Sequence, residues 1–183
     1  MARLPNLPSE AMTEAQRAIY DKIVSGPRGS IQGPFLAWLH SPELADRAQH
    51  LGEYARFHSS LPAELSELAI LVTARHWRAQ FEWWIHAQMA EDAGLDPAII
   101  AALHAGEKPP FTTDAQRAVY AFSREMYDKT RVSQPTYDDA VRHLGVEGAV
   151  DLVGVLGYYA LVSMTLNAFE MPVPEGEEPP FEE

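Results

Sequence analysis

Helix punctuation recurs along this 183-residue chain, and it constrains the fold more than any other feature. A capping residue or a proline opens most of the apolar runs and glycine closes them, which is how α-helices start and stop. Thr13 heads TEAQRAIYDKIVS, and the Gly26 and Pro27 pair stops it. A loop rich in Gly and Pro, SGPRGSIQGPF, leads to Ser41 and Pro42, which open a second helix running to about Phe57. Ser60, Leu61 and Pro62 start a third that carries Glu67, and the RAQ triplet at 78–80 bends or links it to a fourth ending at Gly94. Asp96 and Pro97 begin a short fifth. Thr112 or Thr113 caps a long amphipathic helix, Pro135 begins another that ends near Gly145, and an apolar helix to Phe169 completes the set. No segment longer than a few residues alternates with period two, so the pattern predicts an all-α bundle of about seven to eight helices.

A chain of this length with 46% hydrophobic residues builds one sizeable core. One helical domain is expected over 1–170, followed by an acidic, Pro-rich tail over 171–183, MPVPEGEEPPFEE. The formal charge of -12 and the absence of any Lys and Arg cluster argue against nucleic acid or an anionic membrane as partner. The N-terminal MARLPNLPSEAM has no apolar run, so neither a secretory signal nor an anchor is expected, and the cytoplasm is the expected location. The run from Leu152 to Phe169 is uncharged and near the lower length for a bilayer span. Asp151 and Glu170 bracket it, and Gly154, Gly157, Ser163, Thr165 and Asn167 dilute it, so a helix buried in a bundle is expected instead. Gly154 and Gly157 lie one turn apart, a spacing that lets another helix approach closely. The echo between TEAQRAIY at Thr13 and TDAQRAVY at Thr113 reads as two helix starts obeying the same capping rules.

There is no cysteine, which removes disulfides, zinc fingers and thiolate nucleophiles. The proton-active groups that remain concentrate in ELAILVTARHWRAQFEWWIH, from Glu67 to His86. Glu82 and His86 stand at i,i+4 and share a helix face. By itself that spacing is weak, because seven His and 17 Glu supply about 0.65 such pairs by chance, and Arg78 is an equally spaced partner for Glu82. Phe81, Trp84, Ile85 and Met89 surround the pair with apolar bulk, a setting that raises a carboxylic acid's pKa toward the range useful for proton transfer. Glu67 shows a sharper conflict: Ile70, Leu71 and Ala74 form an apolar stripe around it. A carboxylate there needs a basic partner or must stay protonated.

These residues resemble the carboxymuconolactone decarboxylase family, whose redox branch contains alkyl hydroperoxidase D. That branch resembles a Glu, eleven residues, then Cys-x-x-Cys-x-x-x-His. The frame lies on this chain without gaps, with Glu67 as the acid, Ala79 and Glu82 in the two cysteine places, and His86 as the histidine. The decarboxylase branch, by resemblance, carries Glu-x-x-x-His at Glu82 and His86 and typically lacks the acid at Glu67. With GPFLAWLHSPELA before the core and LVGVLGYYALVSMTLNAFEMP after it, the chain resembles a cysteine-free subgroup. The resemblance implies an AhpD-like helical fold assembled as a homo-oligomer, a trimer or hexamer, with its active site near subunit contacts.

Thiol peroxidase or disulfide exchange needs a peroxidatic or exchanging thiol, and this chain has no cysteine. The expected activity is therefore a cofactor-free acid/base lyase step, decarboxylation or isomerisation, on a small carboxylated lactone or enol acid. His86 would transfer the proton, Glu82 would set its tautomer or act as second acid/base, and Glu67 would orient the pair from the neighbouring helix. Arg75 and Arg78 are the nearest cations for an anionic substrate. Glu67, Glu82, His86 and His76 could in principle converge on a metal, but HEXXH-like or paired EXXH signatures are absent, so neither metal nor cofactor is expected. The alternative is a non-catalytic helical oligomer that binds a ligand. His40, His50, His58, His104 and His143 sit in capping, surface or helix-end contexts and are poor catalytic choices.

Overall fold

The computed structural model describes every residue except Met1, Asn6 and Glu183, so one end of the acidic tail and two positions of the N-terminal segment lie outside the described residues. Eight α-helices follow a short 3-10 turn at Ser9–Ala11, and no strand occurs among the described residues. They are α1 (Glu14–Ser25), α2 (Pro34–Trp38), α3 (Pro42–Phe57), α4 (Ala63–Trp77), α5 (Gln80–Asp92), α6 (Pro97–Ala105), α7 (Asp114–Lys129) and α8 (Gln134–Ala168). The all-α expectation holds, and so do most of the boundaries. Thr13 and Thr113 each close a capping box, with Gln16 and Gln116 at the third helical position. That shared local chemistry accounts for the sequence echo. Ser41 stands at the N-cap of α3 but its side chain makes no capping bond; Pro42 alone marks the start. The Gly- and Pro-rich loop holds a helical turn, α2, that its composition does not announce.

α4 is the hub, packed on α8, α5, α7 and α6. Every residue from Leu68 to Ala74 is buried. A helix enclosed on all sides shows no narrow apolar stripe, so its hydrophobicity is spread around the axis. α8 contains the expected break: Gly145 has φ 74° and ψ 173°, a backbone that α-helix geometry excludes and that glycine adopts without a Cβ penalty. Beyond the break, α8 is long and apolar enough to cross a bilayer, yet 61% of its most apolar stretch is buried inside the fold, against α4 and α7. Gly154 and Gly157 do not serve close packing within the chain, since a Cβ at either would meet nothing within 4 Å among the described residues. Gly52 does. A Cβ there would overlap the Tyr158 hydroxyl and stand 2.6 Å from Arg28 Nη2, so α3 approaches this part of α8 only because residue 52 has no side chain.

The tail folds back onto the same chain. Phe181 is buried, stacked 5.3 Å from the His104 ring and edge-on to Trp83. The Gln80 amide donates to the Phe181 carbonyl at 2.7 Å and accepts from its N–H at 2.8 Å.

Candidate active site

α4 stops where Arg78 turns left-handed (φ 50°), and Ala79 leads directly into α5. This two-residue link folds α5 against α4 and brings their polar residues together. His86 Nδ1 lies 2.7 Å from Glu67 Oε2, and its Nε2 lies 2.9 Å from Glu82 Oε1. The partner that Glu67 needs on its apolar stripe is thus the imidazole of the next helix. The Tyr159 ring stands edge-on to His86 at 5.0 Å and closes one side.

Burial alone would push the His86 pKa down, because a charged imidazolium is poorly solvated there. The charges of Glu82 and Glu67 outweigh that penalty and raise it to about 9. At neutral pH His86 is therefore an imidazolium, with each N–H aimed at a carboxylate. Burial pushes the Tyr159 hydroxyl well above its ordinary value, and the two carboxylates add to the effect. Tyr158 is pushed to about 12, chiefly by burial. Both phenols are proton donors, not bases, at neutral pH.

A cavity of about 60 Å³ opens beside this cluster. Glu82, His86, Tyr158, Tyr159, Arg28 and Arg56 contribute to its walls, and Glu67 does not. Glu67 therefore acts on the cavity through His86, while Glu82 and His86 face it. Arg28 comes from the loop before α2. Its guanidinium lies 4.6 Å from the centre of the Phe35 ring and Nη2 lies 3.5 Å from the Tyr158 hydroxyl, but its buried Nε has no hydrogen-bond partner among the described residues. Arg56, on α3, reaches the same space with Nη2 3.2 Å from Met89 Sδ.

The structure places the other expected residues elsewhere. Arg75 donates from Nε to the His104 carbonyl at 3.0 Å and stands over the Phe181 ring, and Arg78 bonds the Glu182 carbonyl. Both cations hold the tail and neither lines the His86 cavity. His76 is stacked 4.4 Å from Tyr127 and lies nine residues beyond Glu67 along α4, roughly 13 Å along the axis. It does not join Glu67, Glu82 and His86 as a ligand set, and among the described residues no three His, Asp or Glu side chains converge as one. Arg28 and Arg56 were missed because proximity along the helix carrying the acids favoured Arg75 and Arg78. The available signal was an arginine held among glycines and prolines immediately before an aromatic, in PRGSIQGPF.

No protein-family model matches the sequence, and no characterised protein matches it significantly. Solved structures do match the fold. A peroxidase-related protein with an alkylhydroperoxidase AhpD core from Ralstonia eutropha JMP134 superposes with a TM-score of 0.77 at 16% identity, covering 95% of this chain and 93% of its own. A peroxidase-related protein from Silicibacter sp. TM1040 gives 0.75 at 13% identity, covering 95% and 92%. The debrominase Bmp8, in a complex with 2,3,4-tribromopyrrole, gives 0.72 at 15% identity, covering 95% and 91%. The chain thus has the AhpD-like helical fold, and likeness at these identities speaks to the fold alone.

Proposed function

We propose that this protein is a cytoplasmic, cofactor-free acid/base lyase acting on a small carboxylated lactone or enol acid, as a decarboxylase or isomerase. The observation that carries the reading is His86, held as an imidazolium between Glu67 and Glu82 at the wall of a cavity that also presents two arginines. In decarboxylation the substrate carboxylate sits near Arg28 and Arg56, the bond to it breaks, carbon dioxide leaves and the electron pair stays on the carbon skeleton as an enolate. His86 supplies the proton that quenches it, directly or through Glu82, and solvent restores that proton. In isomerisation Glu82 takes a proton from one carbon and returns it to another, with no net change. Arg28 and Arg56, which both line the cavity, replace Arg75 and Arg78 as the anion-binding pair.

The lack of a cysteine thiol removes the thiol chemistry that the word peroxidase suggests for structures of this fold. The debrominase complex supports the substrate size, because that protein of the same fold holds a small ring. A second copy of the chain is part of the reading, since α8 presents an unpartnered apolar face to solvent.

The test is to screen carboxylated lactones and enol acids in deuterated water, following carbon dioxide release and deuterium uptake by NMR. The wild type should turn over at least one of them, and His86→Ala should lose about 10² to 10⁴ in rate, the usual contribution of general acid–base catalysis. Equal turnover by both removes His86 from the mechanism. Saturable binding without turnover favours the non-catalytic ligand-binding alternative.

A further inference from the structure

The cavity beside His86 is small. Its volume of about 60 Å³ holds about five water molecules at 10–15 Å³ each, enough for a carboxylate and its nearest atoms. Any larger substrate needs further space, and one lies next door. A chamber of about 600 Å³, open to solvent on one side, lies between the N-terminal segment, α1 and α2, with Leu4, Leu7, Tyr20, Val24, Ile31 and Leu36 among its walls. No Asp, Glu, Lys, Arg or His lines it among the described residues. Ser30 borders both spaces, so the partition between the charged cavity and the apolar chamber is the short loop that also carries Arg28.

We propose that this chamber is the binding site for the apolar body of the substrate, which makes the ligand an amphipathic monocarboxylic acid. Its carboxylate would pass Ser30 to Arg28 while its hydrocarbon portion stays among Val24, Ile31 and Leu36. The identity of the reacting end rests on the acid/base reading above; binding of the apolar body does not.

Calorimetric titration of the full chain with butyrate, hexanoate, octanoate, decanoate and 1-decanol tests this. Affinity should rise about fourfold per added methylene, the factor expected for burying a CH₂ group. Val24→Trp, which narrows the chamber where the hydrocarbon portion would lie, should weaken decanoate about tenfold or more and leave butyrate unchanged. Arg28→Met should bring decanoate down to the level of 1-decanol. Affinity independent of chain length overturns the proposal, as does a folded Val24→Trp that binds decanoate like wild type. Should Val24→Trp fail to fold, Leu36→Gln places an uncharged polar group on the same wall at a position already 41% exposed, and the same comparison decides. None of these readouts needs turnover. Chain-length-dependent binding without His86-dependent turnover keeps the chamber and removes the lyase reading; turnover without such binding does the reverse.

Discussion

At the scale of single residues, an imidazole 3% exposed and flanked by two carboxylates ties the protein's stability to pH. The folded pKa of about 9 stands above the ordinary 6.5, so the ion pairs contribute fully below pH 6.5 and the contribution is lost as pH rises through 9. A shift of that size corresponds to roughly 3 kcal/mol. Urea denaturation between pH 6 and pH 10 should show the midpoint falling, and Glu67→Gln should move the fall to lower pH because one of the two raising charges is gone. The check is the His86 Hε1 resonance followed by NMR. A wild-type His86 titrating near 6.5 would sink the triad as described. The need of Glu67 for a partner was legible in the sequence, because a carboxylate on an apolar stripe has few stable alternatives. The arginines were not, since a long side chain from a loop reaches a site by tertiary folding, and no spacing rule encodes that.

At the scale of elements, the helices were legible wherever a local rule operates. Capping boxes at Thr13 and Thr113, Pro at the starts of α3 and α6, and the break at Gly145 are all written within a few residues of where they act. What escaped was contact between elements far apart in sequence. Gly154 and Gly157 have the spacing for helix packing and open space around them, whereas Gly52, unremarkable in its helix, lies where α3 meets Tyr158 of α8 and Arg28. Gly52→Ala should therefore cost about 1–3 kcal/mol by overpacking, against the gain expected for Gly to Ala within an exposed helix. Because the added methyl displaces Arg28 and Tyr158 and leaves Glu67, Glu82 and His86 in place, carboxylate affinity should fall while the His86 titration stays unchanged. Thermal denaturation and the NMR titration together check this; a stabilised variant with intact affinity would show that α3 and α8 are not so closely apposed.

At the scale of the whole molecule, the apolar surface is unevenly distributed. Val146, Val150, Val153 and Met164 are each about half to two-thirds exposed and follow one another at four, three and eleven residues on one side of α8, with Gly157 between the last two. Leu51, Tyr54 and Phe57 of α3 are exposed as well, and Tyr54 is tied to α8 through its hydroxyl bond to Asp151 at 2.9 Å. Single exposed apolar residues are ordinary, but a helical row of them is the kind of surface through which proteins associate. A second copy of this chain is the occupant we propose, since Gly154 and Gly157 leave open space beside the row for another backbone. Sedimentation velocity should find wild type at three or six times the chain mass of 20.4 kDa. Val150→Glu, at a position 66% exposed, should leave the fold's stability within about 0.5 kcal/mol and shift the protein to monomer, because a charge placed on the row is solvated in the free chain and buried unpaired in the assembly. A wild type that sediments as a monomer, or a Val150→Glu variant that assembles as wild type does, would assign this face to something other than self-association.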